Sequence, residues 1–173
     1  MYLISVYFDR RTQNGIENII AEVAKGCGNT FMQEHNVPPH LTISAFETCD
    51  TDAVLAALES AISNLQKGEI DYVSVGTFPG VLYLQPVLSE YLHNLISRIY
   101  DAITTVSDVR VRKVYRPFSW LPHTTIAQKL SEEEMLAAFE VLQREFRRIE
   151  GQIVRIELAE KNPFHIIKSW ELT

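Results

Sequence analysis

Two short stretches of the sequence repeat one pattern of residues that can carry out acid–base chemistry. Pro-His-x-Thr-Ile occurs at 39–43 and again at 122–126. Imidazole has an ordinary pKa of about 6.5, so at neutral pH one histidine can hold a proton while the other is free to take one. A threonine hydroxyl beside each imidazole can donate a hydrogen bond to a phosphate oxygen. The repeat therefore predicts two proton-transfer groups and two phosphate-binding groups in one small protein.

The spacing inside each copy predicts how these groups are presented. Residues two apart in a β-strand point to the same face, so histidine and threonine project together while their neighbours face the opposite side. If the two copies face each other, two imidazoles and two hydroxyls surround one phosphate. In-line displacement at phosphorus needs a base at the attacking oxygen and an acid at the leaving oxygen. The predicted catalytic residues are His40, Thr42, His123 and Thr125.

The segment that leads into the second copy combines positive charge with aromatic rings. Residues 110–122 have the sequence RVRKVYRPFSWLP, and its two prolines favour a loop. We expect Arg116 to bind a substrate phosphate and Tyr115 or Trp120 to stack on a base, which is worth roughly 1–3 kcal/mol per base. The alternative for Trp120, and the favoured role for Phe118, is to anchor the loop to the core. The alternative for the basic residues is a solvated edge strand.

Composition and charge limit the classes of function. A chain of 173 residues with 46% hydrophobic residues is typical of one soluble globular domain with a substantial core. The net charge of −6 disfavours binding of long nucleic acid by charge alone, although the basic segment can hold one or two phosphates. No apolar run approaches the roughly 18 residues of a membrane span. The N-terminus resembles a strand rather than a signal peptide. We expect a cytoplasmic monomer that needs no metal, cofactor or membrane.

The periodicity of apolar residues predicts the elements that carry the two motifs. Strands are expected at 2–8, 41–47, 70–78, 80–87, 123–130, 151–161 and 164–172, and helices at 14–26, 51–68, 89–106 and 131–149. Thr51 is a candidate helix cap, Gly26 is a candidate helix stop, and Ser131 with Glu134 has the spacing of a capping box.

Each half of the chain then contains strands, two helices and one motif at the start of a strand. We predict an α+β fold with a pseudo-twofold relation, in which two antiparallel sheets face a central cleft and the helices lie outside. Residues 1–173 would form a single bilobal domain, with lobes of about 1–78 and 79–173 that can exchange strands.

Several other polar residues are expected to have minor roles. Ser44 shares the predicted face of the first motif and lines the cleft or packs beside it. Cys27 and Cys49 are expected to be buried, reduced thiols. The remaining histidines, in loop, helix and terminal strand, are expected to be supporting, surface or core residues: His35, His93 and His165.

The two copies at 39–43 and 122–126 resemble the paired His-x-Thr signature of the 2H phosphoesterase superfamily, in particular its 2′-5′ RNA ligase and cyclic phosphodiesterase members. The order of elements is similar over essentially the whole chain. The resemblance implies a bilobal α+β fold and a metal-independent activity on 2′,3′-cyclic or 2′-5′ phosphodiester bonds of RNA ends or nucleotides. It also implies that the two motif histidines are the catalytic pair and that the two motif threonines bind phosphate.

The main hypothesis is an enzyme that opens 2′,3′-cyclic phosphates and that has 2′-5′ ligase activity in reverse. Two alternatives remain. One is a module that binds an RNA end or a nucleotide without turnover. The other, weaker alternative is a metal-dependent hydrolase assembled from His35, His40 and His123.

Overall fold

Strands and helices alternate along the chain, and the computed structural model describes all residues from 1 to 173. The strands are β1 (Tyr2–Phe8), β2 (Leu41–Glu47), β3 (Gly68–Phe78), β4 (Val81–Pro86), β5 (Arg110–Val111), β6 (Thr124–Gln128), β7 (Ile149–Lys161) and β8 (Phe164–Glu171). The helices are α1 (Arg10–Cys27), α2 (Phe31–Glu34), α3 (Thr51–Ile62), α4 (Glu90–Thr104) and α5 (Glu132–Glu145), with a 3₁₀ turn at Lys113–Tyr115. None of these helices has the length and apolarity that crossing a membrane requires.

The helix ends test the sequence signals directly. The capping box of Ser131 and Glu134 at the start of α5 is confirmed, because each side chain bonds the other residue's backbone N–H. The predicted cap Thr51 is wrong by one residue, since the Asp50 carboxylate accepts from the backbone of α3. The predicted stop Gly26 is also wrong, because α1 continues to Cys27 and is capped by Gly28, which adopts the left-handed conformation that glycine tolerates, with φ of 80°.

The predicted α+β class is confirmed, but the strands form one hydrogen-bonded sheet instead of two. The strand order is β5-β2-β1-β7-β3-β4-β6, with β8 paired to β7. The 13-residue strand β7 joins the two parts, because its first residues pair with β3 and its later residues pair with β1 and β8. A long strand shared in this way leaves no break in the ladder at which two sheets would separate.

The sheet curves so that its distant strands meet. Strands β2 and β6 stand near opposite ends of the strand order, yet they are in contact. Helix α1 packs on α5, and α3 packs on α4, so two helix pairs cover the apolar side of the sheet. One hydrophobic cluster of 36 buried residues contains side chains from both halves of the chain. This curvature brings the two strands that carry the motifs together.

The two motif strands share a β-bulge at the same place. In each of them the register shifts at the isoleucine that follows the motif threonine, which leaves Ile43 in β2 and Ile126 in β6 without a direct partner. Bulges re-aim side chains and increase the local twist. The bulge places Ser44 opposite Ile4, which is fully buried, and away from Thr42. The prediction that Ser44 shares the face of the first motif is therefore wrong.

Candidate active site

The two motif histidines are held in matching orientations by the backbone. Nδ1 of His40 lies 2.8 Å from the carbonyl oxygen of Pro38, and Nδ1 of His123 lies 2.8 Å from that of Leu121. A carbonyl oxygen only accepts hydrogen bonds, so each Nδ1 carries a hydrogen. Nε2 is then the nitrogen that gains or loses a proton. Both rings offer the same atom for proton transfer.

The segments that enter the two motif strands explain this match. Each histidine directly precedes its strand and directly follows a buried proline, Pro39 or Pro122. Proline fixes its own φ and favours an extended residue before it. The chain is therefore extended where it enters the strand, and the carbonyl two residues before each histidine is within reach of its ring.

A buried tryptophan connects the two motifs. The indole N–H of Trp120, three residues before His123, donates a 3.0 Å hydrogen bond to the carbonyl of Thr42. Only 7% of Trp120 is exposed, so its ring has no open face for a base. The stacking role predicted for Trp120 is not supported by this placement, and the anchoring alternative describes it better.

Burial and charge both act on the proton affinity of His40. Its pKa is lowered from the ordinary value of 6.5, mainly because burial disfavours the charged ring. The hydrogen bond to Pro38 opposes this change, a charge on His123 adds to it, and the Glu157 carboxylate opposes it. His40 is therefore neutral at neutral pH, and a proton on His123 makes a second proton on His40 less favourable.

The motif threonines differ in their contacts. Both Thr42 and Thr125 are half-buried. The Thr42 hydroxyl lies 3.5 Å from that of Ser5 on β1, whereas the Thr125 hydroxyl has no hydrogen-bond partner in the protein. Thr124 points the other way, as predicted, and its buried hydroxyl lies 2.6 Å from the Tyr72 hydroxyl. Ser5 was not predicted as a site residue, although its place in an alternating strand is a usable signal.

An ionic cluster lies beside His40. The ring centre of Tyr7 is 6.1 Å from that of His40, and the guanidinium carbon of Arg155 is 4.6 Å from the Tyr7 ring centre. Nε of Arg155 lies 3.0 Å from a carboxylate oxygen of Glu157, which is only 5% exposed. Burial, and then the Glu157 charge, raise the pKa of Tyr7. This cluster was not predicted; its signal in the sequence is the pair of charged residues, Arg155 and Glu157, that alternates with apolar residues in β7.

Aromatic rings instead surround His123. The rings of Phe78 and Tyr83 are each centred 5.2 Å from the His123 ring, and 4.6 Å from one another. Tyr83 is buried, whereas 39% of Phe78 is exposed. The two halves of the candidate site therefore repeat the motif but not its surroundings.

The loop before the second motif differs from its prediction. Phe118 is 92% exposed, its φ is 65°, and its ring centre is 4.8 Å from that of His93. The expectation that Phe118 anchors the loop is wrong, because Trp120 fills the buried position. Arg116 is exposed and its side chain has no ion pair or hydrogen bond in the protein. Tyr115 is half-buried against the core, and burial raises its pKa.

The other histidines lie outside the paired motifs. His35 is exposed and stacks on Phe31 with ring centres 3.9 Å apart, and its Nδ1 lies 2.9 Å from the Phe31 carbonyl. His165 on β8 is also exposed. No three His, Cys, Asp or Glu side chains are grouped so that they could hold a metal ion. His35, His40 and His123 therefore do not form the ligand set of the metal-dependent alternative.

The two cysteines are free, as expected, but neither is buried. Cys27 is half-buried at the last residue of α1, and Cys49 is exposed between β2 and α3. Cys27 packs against the edge of the hydrophobic cluster without being fully covered, whereas Cys49 lies at the surface just before α3. The prediction that both thiols are buried is therefore wrong.

Residues 11–162 match the family described as the 2′-5′ RNA ligase superfamily. The chain belongs to this superfamily. The resemblance to 2H phosphoesterases predicted from the paired motifs is thereby confirmed. A comparison with curated protein sequences finds no match.

Several solved structures share the fold of this chain. TT0787 of Thermus thermophilus superposes with a TM-score of 0.66 at 13% identity, covering 99% of this chain and 97% of that one. LigT of E. coli complexed with 3′-AMP superposes with a TM-score of 0.64 at 12% identity, with the same coverages. A protein described as a phosphoesterase superposes with a TM-score of 0.61 at 15% identity, covering 99% and 97%. At these identities the likeness shows a shared fold.

Proposed function

We propose that the protein is a phosphodiesterase that opens 2′,3′-cyclic phosphate ends of RNA or nucleotides by two-histidine acid–base catalysis, with no metal ion in the chemical step. The observation that carries the proposal is the matched pair of imidazoles. His40 and His123 enter contacting strands, and each has Nδ1 on a backbone carbonyl and Nε2 free for proton transfer. Two such groups supply both proton transfers of an in-line displacement.

In the proposed reaction, neutral His40 takes a proton from water through Nε2 as the water oxygen attacks phosphorus. The bond from phosphorus to one ribose oxygen breaks, and His123 donates a proton to that oxygen. Thr42 and Thr125 donate hydrogen bonds to the non-bridging oxygens, where negative charge accumulates. The lowered pKa of His40 supports its assignment as the base. A ribose 5′-hydroxyl in place of water gives 2′-5′ ligation with the same residues.

Relatives of the same fold support the class of ligand. LigT has been crystallised with 3′-AMP and with phosphate. Opening a 2′,3′-cyclic phosphate gives a phosphate monoester on the ribose. 3′-AMP contains such a group, and the phosphate ion resembles it. Tyr115 and Arg116 remain candidates for contacts to a base and a phosphate at the edge of the site.

The proposal predicts that both histidines are needed. His40→Ala and His123→Ala are each expected to lower kcat by about 10²–10⁴, because a positioned acid or base contributes on that scale. The assay is a screen of 2′,3′-cyclic nucleotides, RNAs ending in a cyclic phosphate and 2′-5′ dinucleotides, with EDTA present and with identification of the phosphate position in each product.

His93→Ala is the matched control, since His93 contacts Phe118 and lies outside the paired motifs. Wild-type turnover in either motif variant would refute the proposal. Binding of a nucleotide with no product after long incubation would favour a binding module instead.

A further inference from the structure

One arginine of the ionic cluster has hydrogen-bond donors that the protein does not use. Arg155 pairs with Tyr7 in the ladder between β7 and β1, and Tyr7 is the neighbour of His40. The guanidinium lies over the Tyr7 ring, on the side of the sheet that carries the first motif. Its side chain is 36% exposed, so this cation is half-buried at the floor of the candidate site.

Only one edge of this guanidinium is occupied. Nε of Arg155 is buried at an ion-pair distance of 3.0 Å from a Glu157 carboxylate oxygen but makes no hydrogen bond, and the two terminal nitrogens form no hydrogen bond with the protein either. Arg148 on the molecular surface is different, because its Nε and Nη2 both bond the Asp71 carboxylate, at 2.7 and 2.8 Å. The terminal nitrogens of Arg155 are therefore free to bind an anion.

The surroundings hold this arginine in place. The charge of the almost fully buried Glu157 attracts the inner edge of the guanidinium, and the Tyr7 ring lies against one face. Glu171 on β8 lies opposite Arg155 in the register but forms no ion pair with it. His40, beside Tyr7, and His123, whose charge acts on His40, are further titratable groups near this cluster. A planar guanidinium whose outer edge is free and whose inner edge faces a carboxylate suits two-point binding of a phosphate.

We propose that Arg155 forms a second anion subsite, which binds a phosphate beyond the one held between the histidines. This inference rests on the proposed function, because the ligand of the subsite is a second phosphate of the nucleotide or RNA on which that reaction acts. The substrate class is then a nucleotide or RNA 3′ end that carries a further phosphate, and this phosphate lies on the His40 side. The His123 side, with Phe78 and Tyr83, offers aromatic surface in place of charge.

The test compares two probes that differ by one phosphate. Adenosine 3′,5′-bisphosphate is expected to bind the wild-type protein about tenfold or more tightly than adenosine 3′-monophosphate, since a charge-assisted hydrogen bond contributes on that scale. Arg155→Gln is expected to reduce this ratio to about one, and Arg155→Lys to give an intermediate ratio because it keeps the charge but loses the planar pair of donors. The measurement is isothermal titration calorimetry at constant salt.

Arg144→Gln is the matched control, because Arg144 lies on α5 and is mostly exposed, and it is expected to retain the wild-type ratio. If Arg155→Gln fails to fold because Glu157 is left buried and unpaired, the double variant Arg155→Gln/Glu157→Gln removes that charge and gives the same test. A wild-type ratio near one, or an unchanged ratio in the folded Arg155 variants, would overturn the subsite. The subsite and the reaction can fail separately, because the subsite is tested by binding. If the wild-type protein shows no turnover but Arg155→Gln still abolishes the affinity ratio, the subsite is supported and the proposed reaction is refuted.

Discussion

At the scale of single residues, the site is two copies of one motif in unlike environments. His40 lies beside Tyr7 and the buried Glu157, whereas His123 lies among aromatic rings. Burial is the largest influence on His40, and it lowers the pKa of that ring. Identical residues in matching orientations can therefore have different roles, because burial favours the neutral form of the His40 ring.

The environment of His40 predicts its titration. The pKa of His40 measured by NMR is expected to fall below 6.5 in the wild-type protein, and to rise in His123→Ala, because a charge on His123 is one of the causes of the lowering. A His40 pKa at or above 6.5 would contradict its assignment as the base.

The same shift predicts how stability depends on pH. The unfolded chain takes up a proton on His40 at about pH 6.5, whereas the folded protein resists it until a lower pH. The contribution of His40 to stability is therefore present above pH 6.5 and is lost as the pH falls through its folded value. Urea unfolding at pH 5 and at pH 7.5 is expected to show a larger loss of stability on acidification for the wild type than for His40→Gln. An equal loss in both proteins would contradict this.

At the scale of elements, features set by residues close in sequence were predictable, whereas features set by long-range contacts were not. The strands of both motifs and the capping box of α5 were predictable, because alternation and cap spacing are short-range signals. The single sheet was not, since it depends on pairing of β7 with both β1 and β3. Trp120 is buried and Phe118 is exposed, although they lie two residues apart in one loop. Sequence patterns could not predict this difference, because the fold decides which ring is buried. Arg155 and Glu157 were missed for the same reason, because their meeting with Tyr7 is a long-range contact.

The contact between the motif strands gives a prediction about Trp120. Trp120→Phe removes the hydrogen bond to the Thr42 carbonyl, and is expected to cost about 0.5–1.5 kcal/mol in the free energy of unfolding. It is also expected to lower kcat per folded molecule at least about tenfold, because displacement of a catalytic strand is amplified in the rate.

Trp170→Phe is the matched control for this change. The Trp170 indole N–H donates a 2.6 Å hydrogen bond to Glu59 on α3, away from both motifs. A stability loss without a change in kcat is expected there. The proposed positioning role of Trp120 would be refuted if both variants reduced kcat equally, or if neither did. The measurements are urea unfolding and initial rates with a 2′,3′-cyclic nucleotide.

At the scale of the whole molecule, the charge disfavours binding of long nucleic acid. The net charge is −6, although a basic segment leads into the second motif. Binding of an RNA end is then expected to depend weakly on salt. A plot of log K against log salt is expected to have a slope no steeper than about −1.5, as for contact with two phosphates of a single strand. A much steeper slope, or strong competition by long double-stranded DNA, would contradict this picture.

The hydrogen bond from Trp120 to Thr42, together with the unbroken ladder through β7, has a further consequence for ligand binding. We expect the spacing of the two motif strands to be the same before and after a ligand binds, so that ligand-free and ligand-bound forms superpose closely at these strands.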